Sequence, residues 1–194
     1  MVTNGTLPRP YQGANPSGRF DPFPTSWLIL CMPAPPADTS HLVAFSAIDR
    51  LDVLRGIFPE VTVPLAVMAE LEAGEWKEAE AVLREIRLNT WMRIGPVCAE
   101  AFPVAPPARL GAGEIETLRL AFSWKLNALV DDREARRFAA RIGVKVVGSL
   151  GVLVKAKALG LISAVRPLVE GMLDHGIRLN SELVSHVLSG EGEV

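Results

Sequence analysis

Apolar and polar positions recur with two different periods along this chain. Leu42, Val43, Ile48, Leu51, Leu54 and Ile57 fall at helical spacing, which predicts a helix from Ser40 to Phe58 with Ser40 as its N-cap. Glu60-Val61-Thr62-Val63 reads as a short β-branched strand. Pro64 suits the first turn of a helix running from Leu65 to Ala73, which Gly74 ends. Trp76 to Leu88 is a second amphipathic helix, and Trp91-Met92-Arg93-Ile94 is strand-like. After a proline-rich connection from Cys98 to Ala108, Gly113 to Lys125 is helical again, with Ile115, Leu118 and Phe122 on one stripe. Ala128-Leu129-Val130 is a strand, Glu134 to Ile142 a helix, and Val144 to Val147 a strand. Helices over Leu150 to Leu159, Ala164 to Leu173 and Ser181 to Leu188 close the chain, with Gly160 and Gly176 as stops. Strands alternating with helices imply βαβ units and a parallel sheet covered on both faces. Such sheets carry their sites at the carboxyl ends of the strands.

Composition divides the chain further. Of 194 residues, 49% are hydrophobic and 22% charged, enough to fill a core and to exclude wholesale disorder. Pro8, Pro10, Pro16, Pro22, Pro24, Pro33, Pro35 and Pro36 crowd the opening, so Met1 to Thr25 reads as a loose arm without the basic start and apolar run of a secretory signal. Trp27 to Met32 is an apolar run suited to a buried strand, and Met32 is an alternative translation start. The expected organisation is an arm over residues 1–37, with a first strand at 27–32, and a domain over 38–194. Two cysteines exclude a disulfide framework and fit a reducing cytoplasm. No apolar run is long enough for a membrane span.

The net charge of −2 argues against a globally basic nucleic-acid binder, yet it is unevenly spread. Residues 49–85 hold nine acids and four bases, whereas residues 133–166 hold eight bases and one acid. The basic set includes Arg133, Arg136, Arg137, Lys155 and Lys157, which reads either as a wall for a phosphodiester backbone or as an ordinary solvated face. Asp38, Glu70, Glu114, Asp131 and Asp132 sit at junctions where the carboxyl edge of a sheet is expected. Converging carboxylates repel, and a hard cation such as Mg²⁺ or Mn²⁺ relieves that repulsion. Taken singly, each acid has a simpler use: Asp131, with Glu134 three residues on, reads as a capping-box variant.

Five blocks together are more specific. Asp38-Thr39-Ser40-His41-Leu42-Val43 with Ile48-Asp49-Arg50-Leu51-Asp52-Val53-Leu54 resembles the opening of PIN domains. Val63 to Leu71, Leu110 to Glu114, Leu129 to Arg136, and Val147 to Leu153 followed by Lys157 to Ile162 are similar to the later blocks, in order. The last resembles an uncharacterised VapC-like toxin branch. The resemblance implies a three-layer α/β/α fold with a central parallel sheet and C-terminal helices. It implies a Mg²⁺- or Mn²⁺-dependent ribonuclease with Asp38, Glu70, Glu114 and Asp132 as catalytic acids. Asp38, Glu114, Asp132 and Asp131 would be metal ligands, Thr39, Ser40 and Ser149 supporting hydroxyls, and Arg133, Arg136, Arg137, Lys155 and Lys157 RNA contacts. It further implies a cytoplasmic homodimer with a small antitoxin partner that binds by the site, where Trp76 is a candidate contact.

Two departures stand out. Pro33, Pro35 and Pro36 occupy the place of the first strand, and prolines cannot donate to a central ladder. That strand is therefore expected at Trp27 to Met32, or distorted. His41 stands where relatives carry proline and reads as a solvated or capping histidine. The competing functions are a catalytically degenerate binding module and a structure-specific DNA nuclease.

Overall fold

The helical spacing that begins at Leu42 becomes two helices rather than one. In the computed structural model, which describes residues 34–74, 77–88 and 91–193, α1 spans Thr39–Ala47 and α2 spans Leu51–Ile57. Between them Asp49 adopts a left-handed φ of 54°, a conformation aspartate tolerates better than most residues. The N–H of Asp49 donates to Ser46 and that of Arg50 to Phe45, which closes the turn. The N-cap of α1 is Asp38, not Ser40: its Oδ1 accepts the N–H of His41 at 2.8 Å.

The remaining elements follow the alternating pattern. They are β1 (Val61–Val63), α3 (Leu65–Ala73), α4 (Lys77–Leu88), β2 (Met92–Ile94), α5 (Ala112–Trp124) and β3 (Ala128–Leu129). Then come α6 (Arg133–Arg141), β4 (Val146–Val147), α7 (Ser149–Ala158), α8 (Arg166–Asp174) and α9 (Ser181–Gly190). Gly160 and Gly176, just past α7 and α8, take φ of 73° and 77°, as helix stops require.

β1 pairs with β2, and β3 with β4, each in parallel register. The proline segment before Asp38 joins the two pairs: Pro36 bridges Thr62 of β1, and Ala37 bridges Leu129 of β3. The order is therefore β2, β1, residues 36–37, β3, β4. This corrects the expectation that the prolines exclude a central strand. A ladder needs acceptors as well as donors, and a proline carbonyl accepts freely. Pro35 accepts from Thr62 at 3.0 Å and Pro36 from Leu129 at 2.9 Å. The donors are the next two residues: Ala37 to Thr62 and Asp38 to Leu129, each at 3.0 Å. The run from Trp27 to Met32, proposed as the first strand, lies outside the described residues, as does Trp76.

Side-chain alternation along the strands builds the layers. Leu129 and Val147 face one core with Phe45, Leu54, Leu71, Trp91, Leu153 and Met172. Ala128, Val130 and Val146 face a second core with Leu118, Phe138 and Phe102. The sheet is thus covered on both faces, an α/β architecture that leaves its carboxyl edge for a site. Glu116 of α5 ties the α3 side to this arrangement by accepting the N–H of Ala66 at 2.5 Å. Pro64, at the α3 N-cap, offers no side-chain acceptor, so the cap comes from another helix. No helix among the described residues is long and apolar enough to cross a membrane.

Candidate active site

Asp38 leaves the central segment at its carboxyl end, where the ladder stops and α1 starts. It is buried, and its oxygens accept the His41 N–H at 2.8 Å and the Ser40 hydroxyl at 3.0 Å. Burial pushes its carboxyl up to about 7, the nearby Asp131 adds to the rise, and His41 and Ser40 only partly offset it. The adjacent strand β3 ends just before Asp131. Asp131 Oδ1 accepts the Ser149 N–H at 2.7 Å. Its Oδ2 accepts the Ser149 hydroxyl at 2.5 Å and faces His41 Nδ1 at 3.0 Å. Burial alone would raise Asp131, but the His41 charge and the bonds from His41 and Ser149 outweigh it and hold the carboxyl below the usual range.

A second acidic group adjoins the first through Thr39. The Thr39 hydroxyl donates to Glu70 Oε2, and the Gly113 N–H donates to Glu70 Oε1 at 2.8 Å. Glycine at 113 lets the Glu70 carboxylate sit this close, because a Cβ would lie 2.5 Å from Glu70 Oε2 and push it aside. Glu114 Oε2 accepts the Gly111 N–H at 2.8 Å. Burial pushes Glu114 up, the Gly111 N–H pulls it back, and the charges of Asp132, Glu70 and Glu134 push it up again. Gly148 allows the same close approach on the other side, since a Cβ there would lie 2.9 Å from Asp131 Oδ1 and against the Arg136 guanidinium.

The two neighbouring aspartates divide their tasks in a way the sequence pattern did not reveal. Asp132, not Asp131, caps α6: its Oδ1 accepts the N–H groups of Glu134 and Ala135 at 2.7 and 2.8 Å. Asp131 turns inward because Ser149 opens α7 beside it and offers both an N–H and a hydroxyl. His41 is neither solvated nor a cap; it is fully buried and bonded to Asp131. Nothing in the local sequence gives that contact, which spans ninety positions. Of the basic residues, Arg133 and Arg137 are exposed on α6, and Arg136 is half-buried against Gly148. Lys155 is half-buried on α7. Lys157 spends its ammonium on the C-terminal tail, at 2.7 Å from Glu193 Oε1 and 2.9 Å from the Glu191 carbonyl.

A family described as a PIN domain matches residues 37–193. The chain belongs to the PIN-domain family. No curated protein matches it. The match starts at Ala37, within the segment that completes the sheet. PIN domains have a nuclease-type fold and typically use divalent metals. The donor chemistry of this PIN domain fits such an ion: hard oxygen ligands, two of which, Asp38 and Glu114, are pushed up by burial and by nearby carboxylates. Among the described residues, no group of three or more His, Cys, Asp or Glu side chains is already gathered to hold one. The acids instead accept hydrogen bonds from Ser40, Thr39, His41, Ser149, Gly111 and Gly113.

Proposed function

We propose that this PIN domain is a Mg²⁺- or Mn²⁺-dependent endoribonuclease and the toxin of a type II toxin–antitoxin pair. The observation that carries the reading is Asp38. It is a buried carboxyl at the carboxyl end of the central segment, pushed up to about 7 by burial and by the charge of Asp131 just past the next strand. A buried acid held in that state is costly to a fold and suits a site completed by a cation. Asp38, Asp131, Asp132 and Glu114 would hold the ion. When bound, a divalent cation polarises a phosphoryl oxygen and makes a water acidic enough to attack phosphorus near neutral pH. Thr39 and the Gly113 N–H orient Glu70 toward the same acids, and Ser40 and Ser149 orient Asp38 and Asp131. Arg133, Arg136 and Arg137, on the helix that follows Asp132, would take the flanking phosphates, which position the strand without reading its bases. Lys155 extends that set, whereas the Lys157 ammonium is already engaged by Glu191 and Glu193. A small antitoxin would dock by the site, and a cytoplasmic homodimer is the expected assembly.

A second reading, a catalytically degenerate PIN module that binds without cleaving, is favoured by one contact: His41 already occupies Asp131. Purified protein incubated with single-stranded RNA or flap DNA, in Mg²⁺ or Mn²⁺, separates the readings. Cleavage of RNA in preference to flap DNA, lost in Glu114→Gln, supports the ribonuclease. Preferred cleavage of the flap indicates a DNA nuclease, and no cleavage of either indicates the binding module.

A further inference from the structure

One residue touches both the buried Asp38 and the partly exposed Asp131. The backbone N–H of His41 donates to Asp38 Oδ1 at 2.8 Å, and its ring Nδ1 lies 3.0 Å from Asp131 Oδ2. His41 thus engages oxygens of two acids that would hold a divalent cation. Nδ1 faces a carboxylate and so carries the proton. The ring is fully buried, leans on Phe45 with centroids 5.4 Å apart, and leaves Nε2 without a partner among the described residues. An orphaned buried nitrogen is unfavourable, so the ring is placed for its Nδ1 contact rather than for its own solvation. Asp131 also accepts the N–H and the hydroxyl of Ser149. Of the roughly four lone-pair positions of an ionised carboxylate, His41 and Ser149 take three.

We propose that His41 is a positioning residue that withholds Asp131 from the metal ion, so that the imidazole and the cation compete for one carboxylate. This rests on the reading that the site takes a divalent cation. His41 then sets how much free Mg²⁺ or Mn²⁺ is needed before the site fills.

The test is a Mn²⁺ titration of the full-length protein at one fixed pH, with free ion followed by electron paramagnetic resonance. Wild type, His41→Ala, His41→Gln, Ser149→Ala and the His41→Ala/Asp131→Asn double variant are compared, with folding checked by circular dichroism. His41→Ala keeps the N–H that caps on Asp38 and removes only the ring. It is expected to bind Mn²⁺ about tenfold more tightly, within the range usual for coupled sites. His41→Gln restores a donor toward Asp131 and should return toward wild type. Ser149→Ala should tighten binding in the same direction by less, and it probes the idea without emptying the ring's site. The double variant should lose the gain. Wild-type binding with unchanged or weaker binding in His41→Ala and Ser149→Ala overturns the inference and leaves the metal reading intact. No Mn²⁺ binding by any variant overturns both.

Discussion

Replacing Asp38 by asparagine should stabilise the metal-free protein at neutral pH while removing the group the site is built around. The carboxyl rises from its ordinary 3.8 to about 7 because burial disfavours its charged form. Between those two pH values the native state binds more protons than the unfolded chain, so stability falls as pH rises, and the loss is complete above about 7. A rise of that size corresponds to about 4 kcal/mol at full ionisation. Asparagine is neutral throughout and is an equally good N-cap. Its Oδ1 keeps the His41 N–H, and its amide faces the Ser40 hydroxyl, which can accept. In EDTA at pH 8, Asp38→Asn should therefore unfold at a temperature roughly 10 °C above wild type, for a domain of this size. At pH 4 the two should coincide. Urea or thermal melts at pH 4, 6 and 8 supply the comparison. An Asp38→Asn protein equal to or less stable than wild type at pH 8 would refute the claim that Asp38 is a desolvated acid.

Other expectations follow from the contacts around it. Gly113→Ala places a methyl 2.5 Å from Glu70 Oε2, so the carboxylate should swing away and lose the Gly113 N–H, costing about 1 kcal/mol in urea unfolding. Glu116→Ala removes the acceptor for the Ala66 N–H and should cost about 1 kcal/mol, read in the same assay, with the acids of the site untouched. Glu193 accepts the N–H groups of Val165 and Arg166 and pairs with Lys157, and its carboxyl is held down to about 2, chiefly by the Lys157 bond. Its contribution is present above the usual carboxylate range and is lost as pH falls toward 2. Glu193→Gln should lower the melting temperature at pH 7 and low salt, by an amount that shrinks in 1 M salt.

The order and kind of elements were legible because a sheet covered on both faces leaves apolar strands between amphipathic helices. The boundaries at Gly74, Gly160 and Gly176 were readable for the same local reason: glycine ends helices. What escaped was decided by partners far along the chain. The prolines at 35 and 36 looked fatal to a strand, because propensity counts their missing donors, whereas the ladder here uses their carbonyls. The split between α1 and α2 depended on Asp49 accepting a left-handed turn, and the spacing of Leu51 and Leu54 continued across it unbroken. Asp131 and Asp132 are adjacent and chemically identical, so only the arrival of Ser149 and His41 distinguishes the inward acid from the cap. Glu116, on α5, and Glu193, past the end of α9, cap the distant starts of α3 and α8 and therefore carry no local signature.

The most direct test of the account is phosphodiester cleavage. End-labelled single-stranded RNA, incubated with wild-type protein and with folded Asp38→Asn in saturating Mn²⁺, should be cut by the first, spared by the second, and protected from both by EDTA. Equal cutting by wild type and Asp38→Asn, or cutting that survives EDTA, would contradict it.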